Sequence, residues 1–414
     1  MVAPISEYVR VGRALDDVLA QVAWKRRTET VEVREAFGRV CAEDVRSPID
    51  MPQFTVSRMD GFAVRSADTT LATETNQIRL KVIAKVGLGK KTKAIVGPGE
   101  AARVTTGSFV PEGTDAVVPV EEASSRGTSV EVRRAATSGA HHFLAGADVK
   151  KGSVVVRRGT RMRAQDVGLA ISLGIKRVEV YGRPRVAIIA TGSELTDSDS
   201  GGKTRNSHGP FFALLAGALG CEAVNLGIAR DREEEILRKL RKGIAAADLV
   251  LTTGGTSVGP FDLVGGAVKS LGPSALHHGI RMDRGRVTGV AVIGGRPVVM
   301  MPGPIQGALN AFVLFALPII QGISMAGDET TRVKAKLTER WEARRRFQDF
   351  TKVVYLRLTD SGKEVQAEPL SAETESMSLL VRSTAVTVVP EEVRSMEAGQ
   401  EVEALLLPGF SSSL

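Results

Sequence analysis

The chain has little cysteine and little aromatic surface. Among its 414 residues there are two cysteines, Cys41 and Cys221, far apart and in no metal-ligand spacing. A disulfide scaffold is therefore excluded, and a reduced, cytoplasmic protein is expected. Phe, Trp and Tyr make up only 4% of the residues, too few for the stacking platforms of single-strand nucleic-acid binders. No basic stripe accompanies a nucleic-acid motif, so no nucleic-acid partner is expected. No uninterrupted apolar run is long enough to cross a bilayer, so no membrane partner is expected. Residues 1–10 lack the basic-then-apolar order of a secretory signal. Low-complexity tracts and short repeats are missing too. Asparagine is sparse and arginine abundant, a balance compatible with a thermophilic source.

What is present is ordinary globular material, 43% hydrophobic and 25% charged. The length implies three or four domains rather than one core. The net charge of +8 fits an anionic ligand or a generally basic surface. The basic clusters at 25–27, 90–91 and 344–346 read equally well as solvated faces.

The most telling stretch runs Thr252-Thr253-Gly254-Gly255-Thr256-Ser257-Val258-Gly259-Pro260-Phe261-Asp262. It follows an apolar run at 248–251, which reads as a buried parallel strand, and precedes a helical pattern at 263–271. A glycine- and hydroxyl-rich turn between strand and helix turns several N–H groups toward one point, a ready anion site. Asp262 follows where a carboxylate could hold a metal, or accept from a ligand's N–H and O–H groups. Two more apolar runs end in similar turns. Residues 185–190 lead into Thr191-Gly192-Ser193-Glu194, and residues 297–301 into Pro302-Gly303-Pro304. Helical patterns at 209–219, 232–244 and 305–317 alternate with them. This alternation predicts a doubly wound, mostly parallel α/β sheet with ligands outside the carboxyl ends of its strands. One glycine loop alone is usually only a tight turn; three should converge on one crevice.

The rest of the chain is organised around that domain. Residues 6–22 read as an amphipathic packing helix. Short strands and turns between 77 and 132 suggest a small inserted β domain, and after Asp328 a C-terminal β-barrel or sandwich is expected. The domain reading is therefore 1–46 with 147–182 as an N-terminal helix and strand domain used for dimerisation, 47–146 inserted, 183–328 α/β, and 329–414 C-terminal β.

Taken in order, these pieces resemble the molybdenum insertase family of the MoeA and gephyrin E-domain type. The first matching motif is Phe54-x-x-Ser57-x-Met59-Asp60-Gly61-Phe62-Ala63, and the second Val104-Thr105-Thr106-Gly107-Ser108 with Pro111-Glu112-Gly113. Gly146-x-Asp148-Val149, Thr191-Gly192-Ser193-Glu194-Leu195, Asn206-Ser207, Gly254-Gly255-Thr256-Ser257 with Asp262, and Pro302-Gly303 follow in family order. The resemblance implies a homodimer that cleaves adenylylated molybdopterin in the presence of molybdate (or tungstate), giving molybdenum cofactor and AMP. It implies pterin-nucleotide contacts from Thr191, Gly192, Ser207, Gly254, Gly255, Thr256, Ser257 and Gly303, with Thr106, Arg286 and Ser378 completing the binding set. Asp60, Glu194 and Asp262 would be the catalytic acids, and Asp60, Asp148 and Glu194 the ligands of Mg2+. Hard oxygen ligands suit a cation that neutralises bridging phosphates.

The chain also departs from the family pattern. A Pro-Gly-Asn-Pro-x-Ser segment is here Pro302-Gly303-Pro304-Ile305-Gln306-Gly307, and Lys-Pro-Gly-Lys-Pro is Asp283-Arg284-Gly285-Arg286-Val287. The oxyanion side thus reads as rebuilt. Two alternatives to turnover stand beside it: a paralogue that binds molybdopterin or its nucleotide without catalysis, and a scaffold. Among the local readings, Asp60 can simply brace the turn at Gly61, and Glu194 can be a first-turn helix acid. His277 and His278, adjacent in a strand, should face opposite ways and not share one metal ion. Arg281, Arg284 and Arg286 form either an oxyanion patch or a solvated hairpin. Cys221 is expected in the core.

Overall fold

The computed structural model describes residues 7–24, 27–90, 92–198, 202–256, 262–325, 330–371 and 376–407. The chain divides into two compact units: Met1–Glu29, Gly38–Val40 and Val180–Leu414 form one, Thr30–Phe37 and Cys41–Glu179 the other.

The first unit is built on a six-stranded sheet. Its strands are β1 (Arg185–Thr191), β2 (Glu222–Ala229), β3 (Leu249–Thr253), β4 (Ala275–His278), β5 (Gly289–Ile293) and β6 (Arg296–Met301). Their spatial order is β2-β1-β3-β6-β5-β4. The first four in that order are parallel, β5 is antiparallel to β6, and β4 is antiparallel to β5. The central strands are buried on both faces, which is why they read as unbroken apolar runs. Strands β1, β3 and β6 stand where the sequence placed them. Strand β4 contains His277 and His278, as their reading as adjacent strand residues expected, and Arg281, Arg284 and Arg286 lie in the loop that joins it to β5.

Helices cover both faces. They are α1 (His208–Ala218), α2 (Glu233–Ala246), α3 (Leu263–Ser270) and α4 (Ile305–Ala311). Helix α2 begins with Glu233, Glu234 and Glu235, acids favoured at the positive end of the helix dipole. It can lie close to the sheet because Gly243 has no side chain; a Cβ there would stand 3.2 Å from Val250 and 3.3 Å from Ala187. Helix α4 continues through a π turn at Phe312–Ala316 into α5 (Leu317–Ser324). The sequence pattern put its end at residue 317, next to Pro318. The wide turn just before the proline lets the helix run on, since π turns absorb a missing backbone donor. By length and composition the stretch Ile305–Ser324 could cross a membrane, but 78% of it is buried inside the fold. Phe212, Phe312 and Phe315 fill the core beneath it together with Cys221. The N-terminal helix Val11–Leu19 packs Val11, Ala14 and Val18 into the same core, and Val9 pairs with Ile280 in the segment after β4.

The C-terminal part of this unit is a closed barrel. Its strands are β7 (Thr331–Leu337), β8 (Lys352–Asp360), β9 (Val365–Leu370), β10 (Ala385–Val389) and β11 (Glu401–Leu406), in the order β7-β9-β8-β10-β11. Alternating Val354, Leu356 and Leu358 on β8 fill it. Tyr355 points the other way, toward α4, and donates its hydroxyl to Asn310 Oδ1 at 2.7 Å.

The second unit holds its own six-stranded sheet, with Gly61–Val64 central among Ala116–Pro119 and Glu100–Val104. Phe62, Leu80, Val118 and Val130 make its core. Here too the short strands and Gly-rich turns of the sequence are what the fold uses. The mixed α/β and β architecture expected from the sequence is the one observed.

Candidate functional site

Four strands end at one rim of the α/β sheet, and the glycine loops meet there. The turn after β3 reaches the turn after β6: Gly254 donates to the Met301 carbonyl at 3.0 Å, and a Cβ on Gly303 would lie 3.8 Å from the Gly254 Cα. The turn after β1 lies on the other side. Thr191 Oγ1 donates to the Thr253 carbonyl at 3.0 Å. Gly254 has φ +83 and Gly255 φ +66, left-handed values that glycine adopts without strain. A Cβ on Gly255 would stand 2.6 Å from Thr191 Oγ1 and 2.8 Å from Val264. Gly254 and Gly255 thus lie against Thr191, and Gly303 lies against Gly254, as a convergent site requires.

Two details at this rim suit an anion. Thr256 holds a buried hydroxyl with no partner among the described residues, and a buried hydroxyl normally has a partner. The start of helix α3 reaches the same turn, where the Val264 N–H donates to the Gly255 carbonyl at 3.3 Å. Ser257 lies outside the described residues.

Gly192 and Glu194 complete the rim beside β1. The Glu194 carboxylate folds back over Gly192, where a Cβ would lie 2.5 Å from Oε1. Glu194 is exposed. Asp231, after β2, accepts from the Ser193 N–H at 2.8 Å and its own N–H donates to Ser193 Oγ at 3.0 Å. Sequence reasoning missed Asp231, since an acid in the polar stretch 230–235 carries no local signal. Ser207 stands exposed at the start of α1 without a capping bond from its side chain. Asn206 caps instead, accepting from Gly209 at 3.1 Å.

Asp262 has protein partners. It is the N-cap of α3, with Oδ1 accepting from Gly265 at 3.0 Å. Oδ2 lies 3.0 Å from His278 Nδ1. The hydrogen bond to this carboxylate raises the His278 pKa above its ordinary value, outweighing burial, which lowers it. His277 turns to the opposite face and meets Asp17, 3.1 Å away, so the adjacent histidines diverge as a strand dictates.

The rebuilt segment 279–288 is the loop of the β4–β5 hairpin, and it reaches the same rim. Arg284, Arg286, Pro302, Pro304, Gly307, Arg344 and Phe347 line a recess of about 240 Å³. The Arg286 guanidinium lies 4.2 Å from the centre of the Phe347 ring, with Arg344 and Arg346 at 5.1 and 5.6 Å. Asp283 stands outside this group and is paired: both its oxygens meet the Arg344 guanidinium, with Nε at 3.1 Å from Oδ2. Asn310, 1% exposed, donates to the carbonyls of Asp283 and Arg284 at 3.2 and 3.0 Å. Gly307 packs closely on Gly285: a Cβ at 307 would lie 3.2 Å from the Gly285 Cα, so the two backbones would have to move apart slightly to admit a serine.

The remaining candidates belong to other elements. Ser378 is exposed in the helix Met377–Arg382, sharing a 2.7 Å hydrogen bond with Ser376, and no described contact brings it to the rim. In the second unit, Asp60 Oδ1 accepts from the Thr106 N–H at 2.7 Å and from its hydroxyl at 3.1 Å. Those bonds, the backbone one foremost, hold its carboxyl below the usual carboxylate range. Asp148 is exposed in the same unit. Among the described residues, no three His, Cys, Asp or Glu side chains gather as a metal cluster.

Known proteins match this chain along most of its length. Residues 9–174 match the MoeA N-terminal region (domain I and II), and residues 187–322 a family described as a probable molybdopterin binding domain. A molybdopterin molybdenumtransferase of Staphylococcus aureus (strain COL) is 30% identical over 384 residues, covering 91% of this chain and 90% of the relative. The crystal structure of a molybdopterin biosynthesis MoeA protein from Pyrococcus horikoshii OT3 is 30% identical, with a TM-score of 0.84 over 97% of this chain and 100% of that one. A molybdenum cofactor biosynthesis protein from Pyrococcus furiosus, 22% identical with a TM-score of 0.60 over 97% of this chain and 100% of that one, shares the fold. With its glycine loops gathered on one rim and this likeness running through both halves, the chain belongs to the MoeA family of molybdopterin molybdenumtransferases, enzymes of molybdenum cofactor biosynthesis.

Proposed function

We propose that the rim of the α/β sheet holds adenylylated molybdopterin and that the neighbouring arginine recess receives molybdate or tungstate. Phosphoanhydride cleavage then releases AMP, and the dithiolene takes the metal. The observation that carries this reading is the approach of Gly254 and Gly255 to Thr191 and of Gly303 to Gly254, followed in the chain by a Thr256 hydroxyl that is buried without a partner among the described residues. Backbone N–H groups, that hydroxyl and the α3 terminus offer donors to phosphate oxygens. Asp262 offers a carboxylate to the N–H groups of a pterin.

A tetrahedral dianion needs cationic donors. Arg286 lines the recess where the family motif carries a lysine, Arg284 adds a second guanidinium at a family proline position, and Arg344 lines it from the C-terminal part. Guanidinium groups keep their charge at any physiological pH. The exposed carboxylate of Glu194 has the hard oxygen chemistry that Mg2+ takes, and Asp60 and Asp148 are exposed carboxylates of the second unit with the same chemistry. Bound magnesium would neutralise charge on the bridging phosphates. A homodimer in the cytoplasm is the setting we infer from the family resemblance and the reduced cysteines. Relatives named as transferases, at 30% identity over most of the chain, disfavour the non-catalytic reading.

The test is mass spectrometry of products formed from adenylylated molybdopterin, with and without molybdate. Release of AMP together with metallated pterin is expected only when molybdate is present. Pterin nucleotide recovered intact from an excess of folded protein would overturn the proposal.

A further inference from the structure

Strand β4 ends at His278, on the rim and between its two halves. The imidazole meets an acceptor at each nitrogen. Nδ1 lies 3.0 Å from Asp262 Oδ2, and Nε2 lies 3.1 Å from the Val287 carbonyl. A ring that donates at both positions is an imidazolium, consistent with its raised pKa. One arm thus reaches the residue that caps α3 at the far end of the nucleotide loop. The other crosses the neck of the hairpin loop and fixes the carbonyl next to Arg286.

The slot for this ring is built by glycines. Gly289 is the direct cross-strand partner of His278, and a Cβ on it would lie 3.2 Å from His278 Cδ2 and collide with the Met300 methyl. Gly265 leaves room for the Asp262 carboxylate, which a Cβ would strike. Two other chain segments therefore converge on His278 at the end of β4: the start of α3 and the start of β5. An ordinary buried ion pair needs only one of its two hydrogen bonds. Here each bond goes to a different half of the site.

We propose that His278 is a positioning residue that couples the pterin-nucleotide loop to the oxyanion segment, aiming Asp262 with Nδ1–H and holding the Val287–Arg286 backbone with Nε2–H. This rests on the reading of the rim as a pterin-nucleotide site. His278 touches neither ligand; it sets the aim of groups that do.

The two arms can be removed separately. The amide nitrogen of asparagine falls close to the position of Nδ1, and that of glutamine close to Nε2. Calorimetry on the full chain, with adenylylated molybdopterin as one probe and sodium molybdate as the other, reads each half. His278→Asn should keep nucleotide affinity within about twofold and lose about tenfold for molybdate. His278→Gln should do the reverse, at the low end of what one charge-assisted hydrogen bond contributes. His278→Phe should weaken both. If Asn and Gln variants weaken the two ligands alike, or neither, His278 is only a structural filler and the proposal falls while the site reading stands. If the unaltered chain binds no pterin nucleotide, the site reading falls and the proposal with it.

Discussion

Restoring the family lysine at position 283 should destabilise this chain rather than improve it. Asp283 is held in a two-pronged pair with Arg344, its side chain 14% exposed against 49% for the arginine. Pairs open to water contribute up to about 1 kcal/mol, and breaking buried ones costs about 3–5 kcal/mol. A pair buried on one side only falls between, so Asp283→Asn should cost about 2 kcal/mol. Asp283→Lys adds a second positive charge beside Arg344 and removes a counter-charge near Lys352. Lys352 is 2% exposed, and burial already pushes its pKa down while Asp283 pushes it up. At an effective dielectric near 20, two like charges about 6 Å apart repel by roughly 3 kcal/mol, of which a flexible lysine can relieve most by turning away. A total near 3 kcal/mol is therefore expected for the lysine variant. Urea denaturation followed by tryptophan fluorescence reads this directly, because Trp341 lines the same cavity as Asp283 and Arg344. The order of midpoints should be wild type, then Asp283→Asn, then Asp283→Lys. The charge-swapped double variant Asp283→Arg with Arg344→Asp should recover most of the loss. A lysine variant as stable as wild type, or a swap that recovers nothing, would refute the reasoning.

Further outcomes follow from the rim. Gly255→Ala places a Cβ at 2.6 Å from Thr191 Oγ1 with φ +66, so stability should fall by at least about 2 kcal/mol and nucleotide affinity should collapse, measured by urea titration and calorimetry. Glu194→Ala, at an exposed position, should abolish Mg2+-dependent AMP release while the urea midpoint stays put; retained turnover would return Glu194 to a structural role. The His278 pKa is raised above 6.5 in the folded chain, so its pairing with Asp262 stabilises fully below about pH 6.5 and is lost as pH rises through the folded value. The stability gap between wild type and His278→Phe should accordingly shrink toward alkaline pH; a gap that widens there would contradict the assignment.

The parts of this fold that could be read in advance share one property: their signal is local. Apolar runs at 185–190, 248–251 and 297–301 announce strands, and the glycines after them announce turns. Asp262 was visible as an acid at a helix start. Its partner was not, because His278 is brought to it by the ordering of strands across the sheet, and in sequence it looked like half of a histidine pair. The same holds for Asn310, whose amide reaches two carbonyls 26 and 27 residues away and whose oxygen accepts a hydrogen bond from Tyr355, 45 residues on. Asp283 looked like a misplaced acid at an anion site, and only its meeting with Arg344, 61 residues on, explains it. Gly307 looked like the loss of a functional hydroxyl; its close packing on Gly285, whose Cα a Cβ at 307 would approach to 3.2 Å, was equally invisible in the sequence.

The hairpin that closes the sheet has a bearing on how such an enzyme can change. Both ends of the 279–288 stretch are pinned at its base, where Gly279 donates to the Thr288 carbonyl at 3.0 Å and His278 faces Gly289 across the ladder. Beyond that clasp the stretch is moored mainly through its backbone: the Asp283 N–H donates to the Thr351 carbonyl at 2.8 Å, and Asn310 holds the carbonyls of Asp283 and Arg284. Those moorings do not depend on which charged side chain the loop carries, so a change of charge there is felt through side-chain pairs such as Asp283 with Arg344 rather than through the path of the chain.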